Sequence, residues 1–142
     1  MKKIVSALAG LAFMMMGNWN LPAAESSGAA KPSAEPKAAQ LIDANEAASL
    51  IAAKKVVVLD VRTPQEFATG HLTGATNLDF HSKEFQAQLE RLNKKQSYLV
   101  HCAVGGRSAR ACKLMSELNF SSVYDLKGGI KAWEQAGKPL VK

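Results

Sequence analysis

The chain has 142 residues, 47% of them hydrophobic, and carries 18 Lys and Arg against 12 Asp and Glu, a net charge of +6. Its lysines are scattered and no basic cluster is interleaved with aromatic side chains, which argues against nucleic acid as a partner. A mild basic excess suits small anionic substrates instead, and no internal repeat is visible.

Lys2 and Lys3 are followed by 13 uncharged residues, Ile4 to Met16. A membrane-spanning helix needs about 20 apolar residues, whereas a shorter run behind a basic start is the pattern of a secretory signal peptide. Small residues at Ala23 and Ala24 put cleavage near Ala24, so residues 1–24 are expected to be lost on export to the periplasm or beyond. No cysteine lies near this junction to accept a lipid, and no second long apolar segment follows, so the mature chain is expected to keep no membrane anchor. Removing Lys2 and Lys3 with no acid lowers the formal charge from +6 to +4. Residues 25–39 are mostly Ala, Ser, Pro, Lys and Glu with no bulky apolar side chain, too little to offset the entropy of ordering, and read as a flexible linker. Residues 40–142 are then one domain with a single core, expected to be a monomer.

Within that domain, Asp43 with Glu46 three residues on predicts a capped helix over 44–53. The β-branched run Val56 to Leu59 predicts a strand buried on both faces. Thr63 as cap, Pro64 in the first turn and Glu66 at the third position predict a short helix that Gly70 ends. A short strand is expected over 75–78, and a helix over 83–92 capped by Ser82, with Phe85, Leu89 and Leu92 on one face. Tyr98 to His101 reads as a strand and Arg107 to Leu118 as a helix with Ala111, Leu114, Met115 and Leu118 inward. Val123 to Leu126 is the last strand, Gly128-Gly129 a turn, and 130–135 the final helix. Strands alternating with helices predict an α/β fold of three layers, a parallel sheet covered on both faces.

The chemistry concentrates between Tyr98 and Cys112, where an apolar strand runs into Cys102, a glycine pair and a helix that opens with Arg107. A loop leaving a buried strand for a helix can turn backbone N–H groups inward, and the helix start adds unpaired donors and the positive end of its dipole. Gly105 and Gly106 permit the positive φ a tight loop needs. A free thiol has a pKa of about 8.5, and such surroundings lower it, so Cys102 is expected to be a thiolate nucleophile near neutral pH. Ligands of open α/β sheets bind beyond the carboxyl ends of the strands, where Cys102 falls.

The stretch Cys102-x-x-Gly105-x-Arg107-Ser108 resembles the active-site loop of single-domain rhodanese-like sulfurtransferases. Leu59-Asp-Val-Arg62, Glu66-Phe67, Gly70 to Asn77 and Leu126 to Trp133 are similar to that family's other signature stretches, in the same order. The resemblance implies that Cys102 takes a sulfane sulfur from a small anionic donor such as thiosulfate, holds it as a persulfide, and passes it to cyanide, a thiol or a protein acceptor. It implies no metal or other cofactor. Backbone N–H groups of Ala103, Val104, Gly105, Gly106, Arg107 and Ser108 would stabilise thiolate and persulfide, and Arg107 would hold the donor's anionic group. Asp60 and Arg62 either border the pocket or form an ion pair that fixes the loop after the first predicted strand, with Glu66 a second partner open to Arg62. His71 is expected to be a hydrogen-bonded structural residue, and His101 to point to the opposite face of the sheet from Cys102. Trp133 is read as core, and Cys112 as a buried, inert thiol; an oxidising compartment would permit a disulfide to Cys102, but a loop cysteine and one more than a turn down the following helix do not readily converge, so the two thiols are expected to stay unpaired. Phosphatases and arsenate reductases related to this fold place five residues between cysteine and arginine; here there are four, Ala103 to Gly106, and a smaller loop suits sulfur better than phosphate. A binding or sulfur-carrier module without catalysis is the remaining alternative.

Overall fold

Five strands form one all-parallel sheet in the order β1-β5-β4-β2-β3: β1 Gln40–Ile42, β2 Val57–Asp60, β3 Thr76–Asn77, β4 Ser97–His101 and β5 Ser122–Leu126. The computed structural model describes residues 37–142, so the expected signal peptide and residues 25–36 of the expected linker lie outside the described residues. Helices α1 Ala44–Ala52, α2 Pro64–Thr69, α3 Phe85–Glu90, α4 Gly106–Glu117 and α5 Gly129–Gln135 connect and follow the strands.

Side-chain alternation along the strands builds the two cores. Leu59, Tyr98, Val100 and Val123 pack with Phe85 and Leu89 of α3 and with Ala111 and Met115 of α4. Val58, Leu99 and Leu126 pack on the other face with Ala44 and Ala47 of α1 and Ile130 and Trp133 of α5. The sheet is therefore the middle of three layers, as expected. Neighbouring Leu99 and Val100 face opposite cores and both are fully buried, which explains why β4 reads as a continuous apolar run. Each such side chain contributes about 1.5–3 kcal/mol by leaving water.

Local signals hold best at helix starts. The Asp43 carboxylate accepts from Asn45 and Glu46 N–H, both at 2.9 Å, and a full capping box joins Thr63 and Glu66. The α3 expectation needs correction: the helix begins at Phe85, and Ser82 accepts the Glu84 N–H within the preceding turn instead of capping it. Strand β1 was not expected; three residues are too few for any periodicity, and its place is set by pairing with β5 through Gln40↔Tyr124 and Ile42↔Leu126. The end of the expected linker is also engaged, because Ser116 Oγ donates to Lys37 O at 2.9 Å and Ala39 packs against the core.

Candidate active site

β4 ends at His101, so Cys102 is the first residue beyond the carboxyl edge of the sheet, and Gly105 caps α4 at φ 111°. That left-handed conformation favours glycine and turns the Gly105 N–H back onto the sulfur, 3.1 Å from Cys102 Sγ. Ser108 Oγ lies 3.7 Å from the same sulfur, and its hydroxyl donates to Gly105 O at 3.1 Å. The loop carbonyls point the other way. Cys102 O accepts the Ile130 N–H at 2.9 Å and Ala103 O the Lys131 N–H at 3.2 Å, so the first turn of α5 holds the loop from behind. Gly129, at φ 62°, makes this approach possible: a Cβ there would stand 2.5 Å from Cys102 O and 2.6 Å from Ala103 O.

Burial works against a charged sulfur here, yet the backbone N–H and hydroxyl of Ser108, and then the N–H groups of Gly105 and Val104, outweigh it and hold the thiol below its ordinary pKa. Those three residues of the Ala103 to Ser108 stretch supply the N–H groups that act on the sulfur. Val104 itself projects from the loop tip, 64% exposed. Cys112, inside α4, is the contrast: burial pushes its thiol well up, and the nearby charges of Asp125 and Cys102 push it further.

The Arg107 guanidinium, expected to face an anionic donor, is already engaged. Its two terminal nitrogens donate to the two Glu66 carboxylate oxygens at 2.8 Å each, tying α4 to α2. Arg107 lowers the Glu66 carboxyl to about 2; partial burial opposes this and the Thr63 hydrogen bonds assist it. Glu66 is thus the partner of Arg107, and the alternative pairing with Arg62 is not the one formed. Arg62 instead meets Asp60 at 2.6 Å, with side chains 6% and 0% exposed, and also donates to Gly70 O at 2.7 Å. Asn77 Nδ2 donates to the carbonyls of both residues, so Asp60 and Arg62 fix the loop after β2 and do not touch the sulfur.

His101 faces the opposite core, as its place next to Cys102 on the strand requires. It is fully buried, 3.6 Å from Asp60 Oδ2, and burial pushes its pKa down despite that carboxylate, so it stands neutral there. His71 is held by Phe67, with ring centroids 3.8 Å apart and Nδ1 3.1 Å from Phe67 O. The role of Gly129, Ile130 and Lys131 was missed: Gly128-Gly129 reads as a turn, and only the register of α5 against the loop reveals the clamp. Among the described residues, no three His, Cys, Asp or Glu side chains gather as a metal site.

A cysteine on a glycine-bearing loop between a central parallel strand and a helix, braced by a second helix start, defines a class before any relative is considered. The sequence model of the Rhodanese-like domain matches residues 43–136, and the chain belongs to that family. It is 38% identical over 89 residues to the thiosulfate sulfurtransferase GlpE of Pseudomonas entomophila, covering 62% of this chain and 79% of that protein. It is 33% identical over 86 residues to a sulfurtransferase of Allochromatium vinosum, covering 61% and 78% of the two chains. A rhodanese-related protein from Thermoplasma volcanium has a similar crystal structure, with a TM-score of 0.66 at 33% identity over 72% of this chain and 97% of that one.

Proposed function

We propose that the protein is a thiosulfate sulfurtransferase that works through a persulfide on Cys102. Family membership and the sulfurtransferase names of its relatives support sulfur transfer in general, from a sulfur donor to a thiol-type acceptor. The observation that carries the finer reading is the Cys102 environment, where backbone donors at the start of α4 favour the anion against the cost of burial.

In the first step the Cys102 thiolate attacks the outer sulfur of thiosulfate. An S–S bond forms to Cys102, the sulfur–sulfur bond of the donor breaks, and sulfite leaves with its electron pair. In the second step cyanide or a thiolate attacks the outer sulfur, and the Cys102 thiolate is the leaving group. Each state is anionic at the loop, so the same N–H groups of Val104, Gly105 and Ser108 serve throughout, with Ala103 and Gly106 shaping the loop and Val104 open to an acceptor. Arg107 adds positive potential from its pair with Glu66, and Asp60 and Arg62 support the neighbouring loop. We place the protein outside the cytoplasm, with residues 1–24 as a leader, 25–39 as a linker and 40–142 as the catalytic domain; among the described residues no helix is long and apolar enough to cross a membrane.

The test is thiocyanate formation from thiosulfate and cyanide by the mature chain. Wild type should turn over and Cys102→Ser should not, with its fold checked by circular dichroism. Undiminished turnover by Cys102→Ser would remove the mechanism.

A further inference from the structure

Lysines that lie apart in the sequence are gathered by the fold at the edge of the sheet opposite the catalytic loop. Lys54-Lys55 lead into β2 and Lys94-Lys95 into β4, and these strands run side by side with Val57 opposite Tyr98. Both pairs therefore enter the sheet at its amino edge, on neighbouring strands about 5 Å apart. Lys54 and Lys55 border a surface cavity of about 260 Å³ with Gln96 and Ser97, the residues that follow the second pair. The Ser121 N–H donates to Lys94 O at 2.9 Å, which holds that pair beside the start of β5, and Arg91 closes α3 just before it. Among the described residues no ion pair engages any of these cations. Glu90, the nearest acid along the chain, accepts from Gln86 Nε2 one turn back on α3.

Lys54 also holds a backbone position that suits other residues. It follows the Ala53 cap of α1 at φ 54°, in the left-handed region. The same place after α4 is taken by Asn119 at φ 64° and after α5 by Gly137 at φ 70°, the residue types that tolerate it. A lysine there bears a conformational cost that glycine would not, and what it adds is a charge at the amino edge.

We propose that this amino edge docks the protein on an anionic lipid surface, with Cys102 facing away from the membrane. The run of β4 from Ser97 to Cys102 spans about 16 Å, so a chain held by these lysines keeps the catalytic loop in solvent. Each cation close to an anionic surface strengthens binding by about fivefold, so the two lysine pairs together give a reversible hold that needs no inserted segment. The surface suits a headgroup layer better than a protein. Protein interfaces are centred on buried aromatic or aliphatic side chains, whereas the large apolar side chains exposed among the described residues are Leu41 on β1, Val104 on the catalytic loop and Val141 beside His71, all away from this edge. Nucleic acid would find charge but no aromatic face for its bases, since Tyr98 and Phe120 at this end of the sheet are buried.

The experiment is cosedimentation of the mature chain with vesicles that contain phosphatidylglycerol beside phosphatidylcholine, and with vesicles of phosphatidylcholine alone. The chain should bind the first and not the second, and binding should weaken as salt rises. Lys54→Gln with Lys55→Gln should lower affinity by about 25-fold, Lys94→Gln with Lys95→Gln by a similar factor, and all four together by the product. Lys83→Gln with Lys127→Gln removes the same charge from outside this edge and should change affinity by less than about twofold. Lys54→Gly should keep or raise stability in urea, because it relieves the backbone, and still lose about fivefold in vesicle affinity. Iodoacetamide should alkylate Cys102 at the same rate with and without vesicles. The proposal is overturned by failure to bind the anionic vesicles, by an equal loss in the Lys83 and Lys127 variant, by slowed alkylation of Cys102 on vesicles, or by tighter binding to duplex DNA at equal phosphate concentration. None of these readings depends on sulfur transfer, so absence of thiocyanate formation would count against the sulfurtransferase reading and not against the docking surface.

Discussion

Cys102 and Cys112 are shielded from solvent to nearly the same degree, 1% and 2% exposed, and belong to one apolar core. Their acidities move in opposite directions. Cys112 sits inside α4, where backbone N–H groups are already spent on helix hydrogen bonds, so burial decides its state. Cys102 sits in front of the same helix, where the first N–H groups have no helical acceptor and can be turned onto a sulfur. What separates the two thiols is therefore the supply of unspent donors at Cys102, set against the deeper burial of Cys112.

The largest expected effect comes from disturbing what aims those donors. Gly129→Ala drives a methyl group into the Cys102 and Ala103 carbonyls at a position with φ 62°. We expect it to cost about 2–4 kcal/mol in urea denaturation and to bring Cys102 reactivity down towards that of an ordinary thiol. Gly106→Ala is its control, because a Cβ at Gly106 meets nothing within 4 Å, and it should change stability by less than about 1 kcal/mol. Equal stability of the two variants would show that α5 does not brace the loop.

Next in size is the contrast between the thiols themselves. In native protein at neutral pH, alkylation of Cys102 should outpace that of Cys112 by at least about a hundredfold, the ratio two units of pKa produce. Unfolding should abolish the difference. Peptide mapping after labelling with and without denaturant measures both, and comparable native labelling would contradict the account.

The smallest effect concerns the pair that ties α4 to α2. Its carboxylate is about one-third exposed, so Glu66→Gln should cost less than about 1 kcal/mol of stability. The sign of its pH dependence follows from a carboxyl lowered from 4.5 to about 2 in the folded state. Above 4.5 the ion pair is fully present, and its contribution fades as pH falls towards 2. Wild type should thus lose stability over that window faster than Glu66→Gln in parallel denaturation curves. Arg107→Lys should lower sulfur transfer several-fold, because a point charge cannot reproduce a bidentate contact to Glu66.

Much of this was legible because the signals are local. Helix caps at Asp43 and Thr63, the apolar runs of β2 and β4, and the Cys102 to Ser108 loop each announce themselves within a few residues. The parts that were not legible depend on residues far apart in the chain. That Glu66 goes to Arg107, when the sequence offered it only to Arg62, is decided by how α2 lies against α4. The clamp of Gly129 on Cys102 joins two loops through the order β5-β4, and the third-residue strand β1 exists only because β5 offers an edge.

The central claim is that the donors at the start of α4 make Cys102 alone the sulfur acceptor. Mature protein incubated with thiosulfate, freed of excess reagent and analysed by intact mass and peptide mapping, tests it most directly. The account predicts a gain of one sulfur atom per chain, carried by the peptide at Cys102 and discharged by cyanide. A mass that does not change, or a sulfur found on Cys112, would contradict it.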